Sequence, residues 1–124
     1  MTKGQRGIVV DETLLRIRRE NKALLSGNPG QRTNTREGFL YVVSNIAWNG
    51  YCKIGRAIDY EDRLNTFNTG DPFRNYKLEF VWYFRDRYAA EREAQRLMLP
   101  WWRGGEWYLC PIEEAVAAIK GINK

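Results

Sequence analysis

The sequence predicts a small α+β domain, three strands interleaved with helices, behind an N-terminal helical arm. Three observations predict it. Residues 38–56, GFLYVVSNIAWNGYCKIGR, read as two short strands, residues 39–43 and 51–55. They are joined at Asn49-Gly50, the dipeptide that most readily takes the positive φ angles of a hairpin turn. Residues 77–84, KLEFVWYF, give the strongest strand signal in the chain, with aromatics on both faces. Helix signals surround these strands: Asp59 and Asp86 as N-caps, and Pro111 at a first helical position.

Each element follows in chain order. Asp11 reads as the N-cap of a helix running to Leu25, with Leu14, Leu15 and Leu25 among basic positions. Arg16, Arg18, Arg19 and Lys22 make one side of it basic, to lie along DNA or to face water while the leucines pack. Residues 26–37, SGNPGQRTNTRE, lose all periodicity and read as a flexible linker kept basic by Arg32 and Arg36. The arm is thus residues 1–37, and the domain residues 38–124.

Beyond the hairpin, Asp59 caps a helix to about Asn68 whose Tyr60, Leu64 and Phe67 share a face with Arg63. Thr69-Gly70-Asp71-Pro72 stops it. The helix from Asp86 to about Leu99 has a stripe of Ala90, Ala94, Leu97 and Met98, with Glu91 and Glu93 on opposite flanks. Residues 101–108, WWRGGEWY, read as a glycine turn whose tryptophans serve as core and lid or as nucleobase platforms. Ile112, Ala115, Val116 and Ile119 form the stripe of a last helix, closed by Lys120 and Gly121.

Composition bounds the function. At 124 residues and 44% hydrophobic content, the chain makes one domain with one real core. The net charge of +5 is uneven: residues 1–37 carry eight Lys/Arg against four Asp/Glu, residues 38–124 twelve against eleven. A basic arm suits nucleic acid or an acidic surface, and equally a solvated tail. Cys52 and Cys110 sit in apolar elements, as reduced buried thiols do, without zinc-site spacing. The chain has no histidine, which excludes His-based triads, HExxH metalloproteases and most zinc deaminases. No apolar run is long enough for a membrane span, and no signal-peptide core opens the chain. The expected location is the cytoplasm, or the nucleus of a eukaryotic host.

Four polar residues could then converge: Tyr41 and Lys53 on paired strands, Arg63 on the next helix, and Glu91 on the helix after the third strand. Gly55 ends the second strand where a phosphate backbone could come close. Phosphodiester hydrolysis needs a group that activates water, positive charge on the phosphate, and a metal at the leaving oxygen. This set can supply all three. Residue by residue the other reading stays open: Tyr41 as core, Lys53 as edge decoration, Arg63 as a snorkel and Glu91 as a solvated helix residue.

Residues 38–110, GFLYVV…CKIGRA…RLNTFNTG…AERE…GEWYLC, resemble the GIY-YIG nuclease superfamily, in its T5orf172/MUG113-like branch. The first motif matches Phe39-Leu40-Tyr41, and the second Lys53-Ile54-Gly55, with lysine in the tyrosine position. The helix arginine matches Arg63, the metal-binding glutamate Glu91, and the late Glu-Trp pair Glu106-Trp107. The resemblance implies a three-stranded antiparallel sheet flanked by helices and a DNA endonuclease. Glu91 would hold one Mg²⁺ or Mn²⁺, Tyr41 would take the proton from water, Lys53 would favour the phenolate, and Arg63 would neutralise the phosphate. Arg16, Arg18, Arg19, Lys22, Arg32, Arg36 and Arg56 would bind DNA, with Gly55, Glu106 and Gln95 in support.

The chain departs from the pattern twice. Gln95 stands where the branch commonly has a histidine one turn after the glutamate, and Arg56 where some superfamily nucleases have another. Neither transfers protons at neutral pH. The alternative expectation is therefore a nuclease-like fold that binds DNA or a protein without cutting. Glu93 could replace Glu91 if the helix register differed by two.

Overall fold

The computed structural model describes residues 12–26 and 34–123. Strands β1 (Gly38–Asn45), β2 (Tyr51–Ala57), β3 (Tyr76–Phe84), β4 (Trp102–Gly104) and β5 (Trp107–Leu109) form one antiparallel sheet in the order β3-β1-β2-β5-β4. The helices are α1 (Glu12–Lys22), α2 (Tyr60–Thr69), α3 (Arg87–Leu97) and α4 (Ile112–Lys120). None of the described helices is long and apolar enough to cross a membrane.

Strand β1 is an unbroken apolar run because both its faces are buried. Leu40 and Val42 point to one side, joining Cys52, Ile54, Phe80 and Phe84 beneath Ala90, Ala94 and Met98 at α3 and Ala115 and Ile119 of α4. Phe39, Tyr41 and Val43 point to the other, with Leu78, Val81 and Tyr83 beneath Tyr60, Leu64 and Phe67 of α2 and Ile17 of α1. A register shift between Val42 and Val43 inserts one extra β3 residue, so Leu78 and Phe80 fall on opposite faces. The predicted α+β class holds, with helices on both faces.

The sheet has five strands and not the expected three. The WWRGGEWY stretch is a hairpin, β4–β5, that adds to β2. Gly104 (φ 122°) and Gly105 (φ 54°) supply the turn. Strands of three residues are too short to show an alternating pattern, which is why the sequence reads there only as a turn. The β1–β2 connection also differs. A 3₁₀ turn, Ile46–Trp48, precedes Asn49-Gly50, and only Gly50 takes a positive φ (87°) while Asn49 sits at −58°.

Helix starts were legible. The Asp59 side chain accepts from the Asp62 amide, and that of Asp86 from Tyr88 and Ala89. Helix α3 ends sooner than expected, leaving Leu97 exposed and Met98 buried at the cap, and Glu91 is buried instead of flanking the stripe.

Helix α1 is docked on the sheet. Buried Asn21 accepts from the Tyr83 amide (2.7 Å) and donates to the Ile17 carbonyl (2.8 Å). Arg18 and Lys22 both pair with Glu61 of α2 and lie over the Tyr60 ring. Residues 27–33 of the expected linker (26–37), with Arg32, lie outside the described residues, as does Asp11. The flanking residues are pinned together, because buried Glu37 accepts from the Ser26 amide and hydroxyl and from the Tyr83 hydroxyl.

Candidate active site

On β2, strand β5 pairs only with Tyr51, Cys52 and Lys53, so the second half of β2 borders an open edge. Groups from the two faces of the sheet meet there. Arg63 comes from α2 on one face and Glu91 from α3 on the other, and the β4–β5 turn brings Glu106 between them. The Glu106 carbonyl accepts from the Ile54 amide at 3.0 Å, which anchors that turn on β2. Arg56, Asp59, Asp62, Arg87 and Tyr88 also line the cleft, which has a volume of about 470 Å³.

Tyr41 lies beneath this cleft and reaches it through its hydroxyl, which donates to Glu106 Oε1 at 3.4 Å. Gly55 faces Tyr41 across the β1–β2 ladder. A Cβ at Gly55 would come within 2.6 Å of the Tyr41 ring carbon Cζ and 2.7 Å of Glu106 Oε1. The glycine thus gives the phenol and the carboxylate room to lie over the strand. The groups that fill this space are the protein's own Tyr41 and Glu106.

Burial first, and then the Glu106 charge, pushes the Tyr41 phenol up to about 12, while the Arg63 guanidinium opposes the rise. Burial also raises the Glu106 carboxyl, helped by the Glu91 charge and opposed by Lys53 and Arg63. The Lys53 ammonium sits over Phe67 (4.3 Å) and Trp107 (5.4 Å), and its field acts on Glu106. Lys53 pairs with Val43 on one side and Trp107 on the other, two residues from Gly55 along β2 and on the same face.

Glu91 forms an ion pair with Arg56, which lies over the Tyr88 ring at 4.5 Å. Arg87 (4.5 Å) and Arg36 (4.8 Å) lie over the same ring. Tyr88 was missed in the sequence, although it stands three residues before Glu91 on α3 and so shares its side of the helix. Arg36 also pairs with the Asp86 cap at 3.0 Å. Gln95 is exposed and sits apart, beside Leu99, Trp102, Gly105 and Tyr108. Glu93 pairs with Arg96 away from the cleft. Arg16 and Arg19 are exposed on α1.

Among the described residues, no group of three His, Cys, Asp or Glu side chains could hold a metal ion. Of the four carboxylates that line the cleft, Asp59, Asp62, Glu91 and Glu106, the charge of Glu91 disfavours ionisation of Glu106. That repulsion is what a divalent cation relieves, and Mg²⁺ commonly takes one or two carboxylates with waters and a substrate phosphate. The donor set fits such an ion. Elsewhere, Cys52 and Cys110 are free, buried thiols with sulfurs 3.4 Å apart, and burial raises both.

Residues 38–123 match the family model of the T5orf172 domain. No curated protein and no solved structure matches the chain.

Proposed function

From the premise that the chain belongs to the T5orf172 domain family, a domain associated with GIY-YIG-like nucleases, we propose that it is a metal-dependent DNA endonuclease. The observation that carries the reading is the meeting of Arg63, Glu91 and Glu106 at one open strand edge, with the Tyr41 hydroxyl on Glu106.

Glu91 would hold the divalent ion, which leaves Glu106 to accept a proton. When bound, that ion supplies positive charge to the scissile phosphate and the leaving oxygen. Arg63 is exposed at the cleft and neutralises charge that builds on the phosphate in the transition state. A phenol raised to about 12 is not a free phenolate at neutral pH. Tyr41 instead passes a proton on. Its oxygen takes the proton of the attacking water as its own proton moves to Glu106 Oε1, and the water oxygen forms the new bond to phosphorus as the bond to the leaving oxygen breaks. Arg36, Arg56 and Arg87 around Tyr88 hold backbone phosphates beside the cleft.

A plasmid-nicking assay tests the relay. Tyr41→Phe and Glu106→Gln should each slow nicking about 100-fold or more, the range of general-base losses. Full activity in both variants would remove the relay. One observation favours a second reading, a DNA-binding module that does not cut: Arg56 already pairs with Glu91. DNA binding by the wild type without nicking in Mg²⁺ or Mn²⁺ would establish that reading instead.

A further inference from the structure

The face of the sheet that holds Tyr41 continues past the end of α2 into a set of rings. Phe67 of α2 packs on Tyr41 (6.1 Å between centroids) and on Tyr76 (5.4 Å). Tyr76 meets Trp107 (6.5 Å) and Trp48 (6.2 Å), and Trp48 meets Trp107 (5.5 Å). The set is not a sealed core, since Trp48 is 49% exposed and Phe67, Tyr76 and Trp107 are each partly exposed. The Lys53 ammonium lies among them, over Phe67 and Trp107. Trp107 follows Glu106 directly, so the rings adjoin the cleft.

The next loop adds a fixed projection. Asp71 accepts from the amides of Phe73 and Asn75 (3.0 Å each) and from the Asn45 side chain (2.9 Å). This clamp holds Arg74 at φ 50°, an uncommon conformation for a residue other than glycine. It presents Phe73, 79% exposed, beside the basic Arg74. Several hydrogen bonds thus maintain an arrangement that leaves a phenyl ring in water.

We propose that Trp48, Tyr76 and Trp107, with Lys53 among them, bind unpaired bases of single-stranded DNA next to the scissile phosphate. The proposal rests on the nuclease reading and names its substrate class. Charge complementarity selects the occupant. A strand alternates flat apolar bases with phosphates, and the surface alternates rings with a cation and continues into the Arg63 side of the cleft. Duplex DNA keeps its base faces stacked inside, so rings at this position gain little from it.

Binding of a short fluorescein-labelled oligonucleotide, single-stranded or annealed, tests this by anisotropy in EDTA, where no cleavage occurs. The wild type should bind the single strand more tightly, and binding should quench tryptophan fluorescence. Trp48→Ala should weaken single-strand binding about 5- to 150-fold, the range for loss of one stacked base, and abolish the preference over duplex. Trp48→Phe should retain most of it. Equal binding of both forms by the wild type, or a Trp48→Ala variant that keeps the preference, would overturn the proposal. Single-strand preference without nicking in Mg²⁺ or Mn²⁺ would leave the platform standing and remove the nuclease reading.

Discussion

At the scale of single residues, Gly55 and Glu106 decide how Tyr41 is held. Any side chain at Gly55 must displace the phenol or the carboxylate above it. Gly55→Ala should destabilise the fold by about 1–3 kcal/mol, the usual cost of overpacking, as read from a urea midpoint. Glu106 has the linkage of an acid whose folded pKa is raised. Its contribution to stability is complete below the ordinary carboxyl value of 4.5 and is lost as pH rises through the raised value. Glu106→Gln should therefore be more stable than the wild type at neutral pH, with the gap closing toward pH 4.5 in parallel urea titrations. The Tyr60 hydroxyl is buried and has no hydrogen-bond partner among the described residues. Tyr60→Phe should stabilise by about 1 kcal/mol in the same measurement.

At the scale of elements, what could be read from the sequence depended on length and local signals. Helices α2, α3 and α4 announce themselves through Asp59, Asp86, Pro111 and Gly121, whose effects are confined to one turn. The apolar run of β1 betrays burial on both faces. The β4–β5 hairpin did not show, because its pairing with β2 is non-local and its strands are short. The docking of α1 was open in the sequence, since leucines and arginines alternate on that helix. Asn21, a polar residue that pattern reading sends to the surface, settles it by bonding to β3. Asn21→Ala leaves the Tyr83 amide without that acceptor and should cost about 1–3 kcal/mol. Hydrogen exchange should show α1 amides losing protection before those of β1.

At the scale of the molecule, the sequence identified the residues of the candidate site better than their relations. Arg63, Glu91 and Glu106 meet where the short β5 leaves β2 open, a consequence of topology that no spacing encodes. Lys53 and Gln95 were placed at the site by motif; the first lies over the aromatic rings that adjoin the cleft and the second on another surface. The basic arm is divided in the same way, with Arg18 and Lys22 held by Glu61, Arg36 beside the cleft, and Arg16 and Arg19 exposed. The most direct test of the nuclease reading is nicking of supercoiled plasmid in Mg²⁺ by the wild type and Glu91→Ala, with DNA affinity measured beside it in EDTA. The account predicts nicking by the wild type, none by Glu91→Ala, and nearly equal affinities. Nicking that survives Glu91→Ala, or none by a wild type that binds DNA, would contradict it.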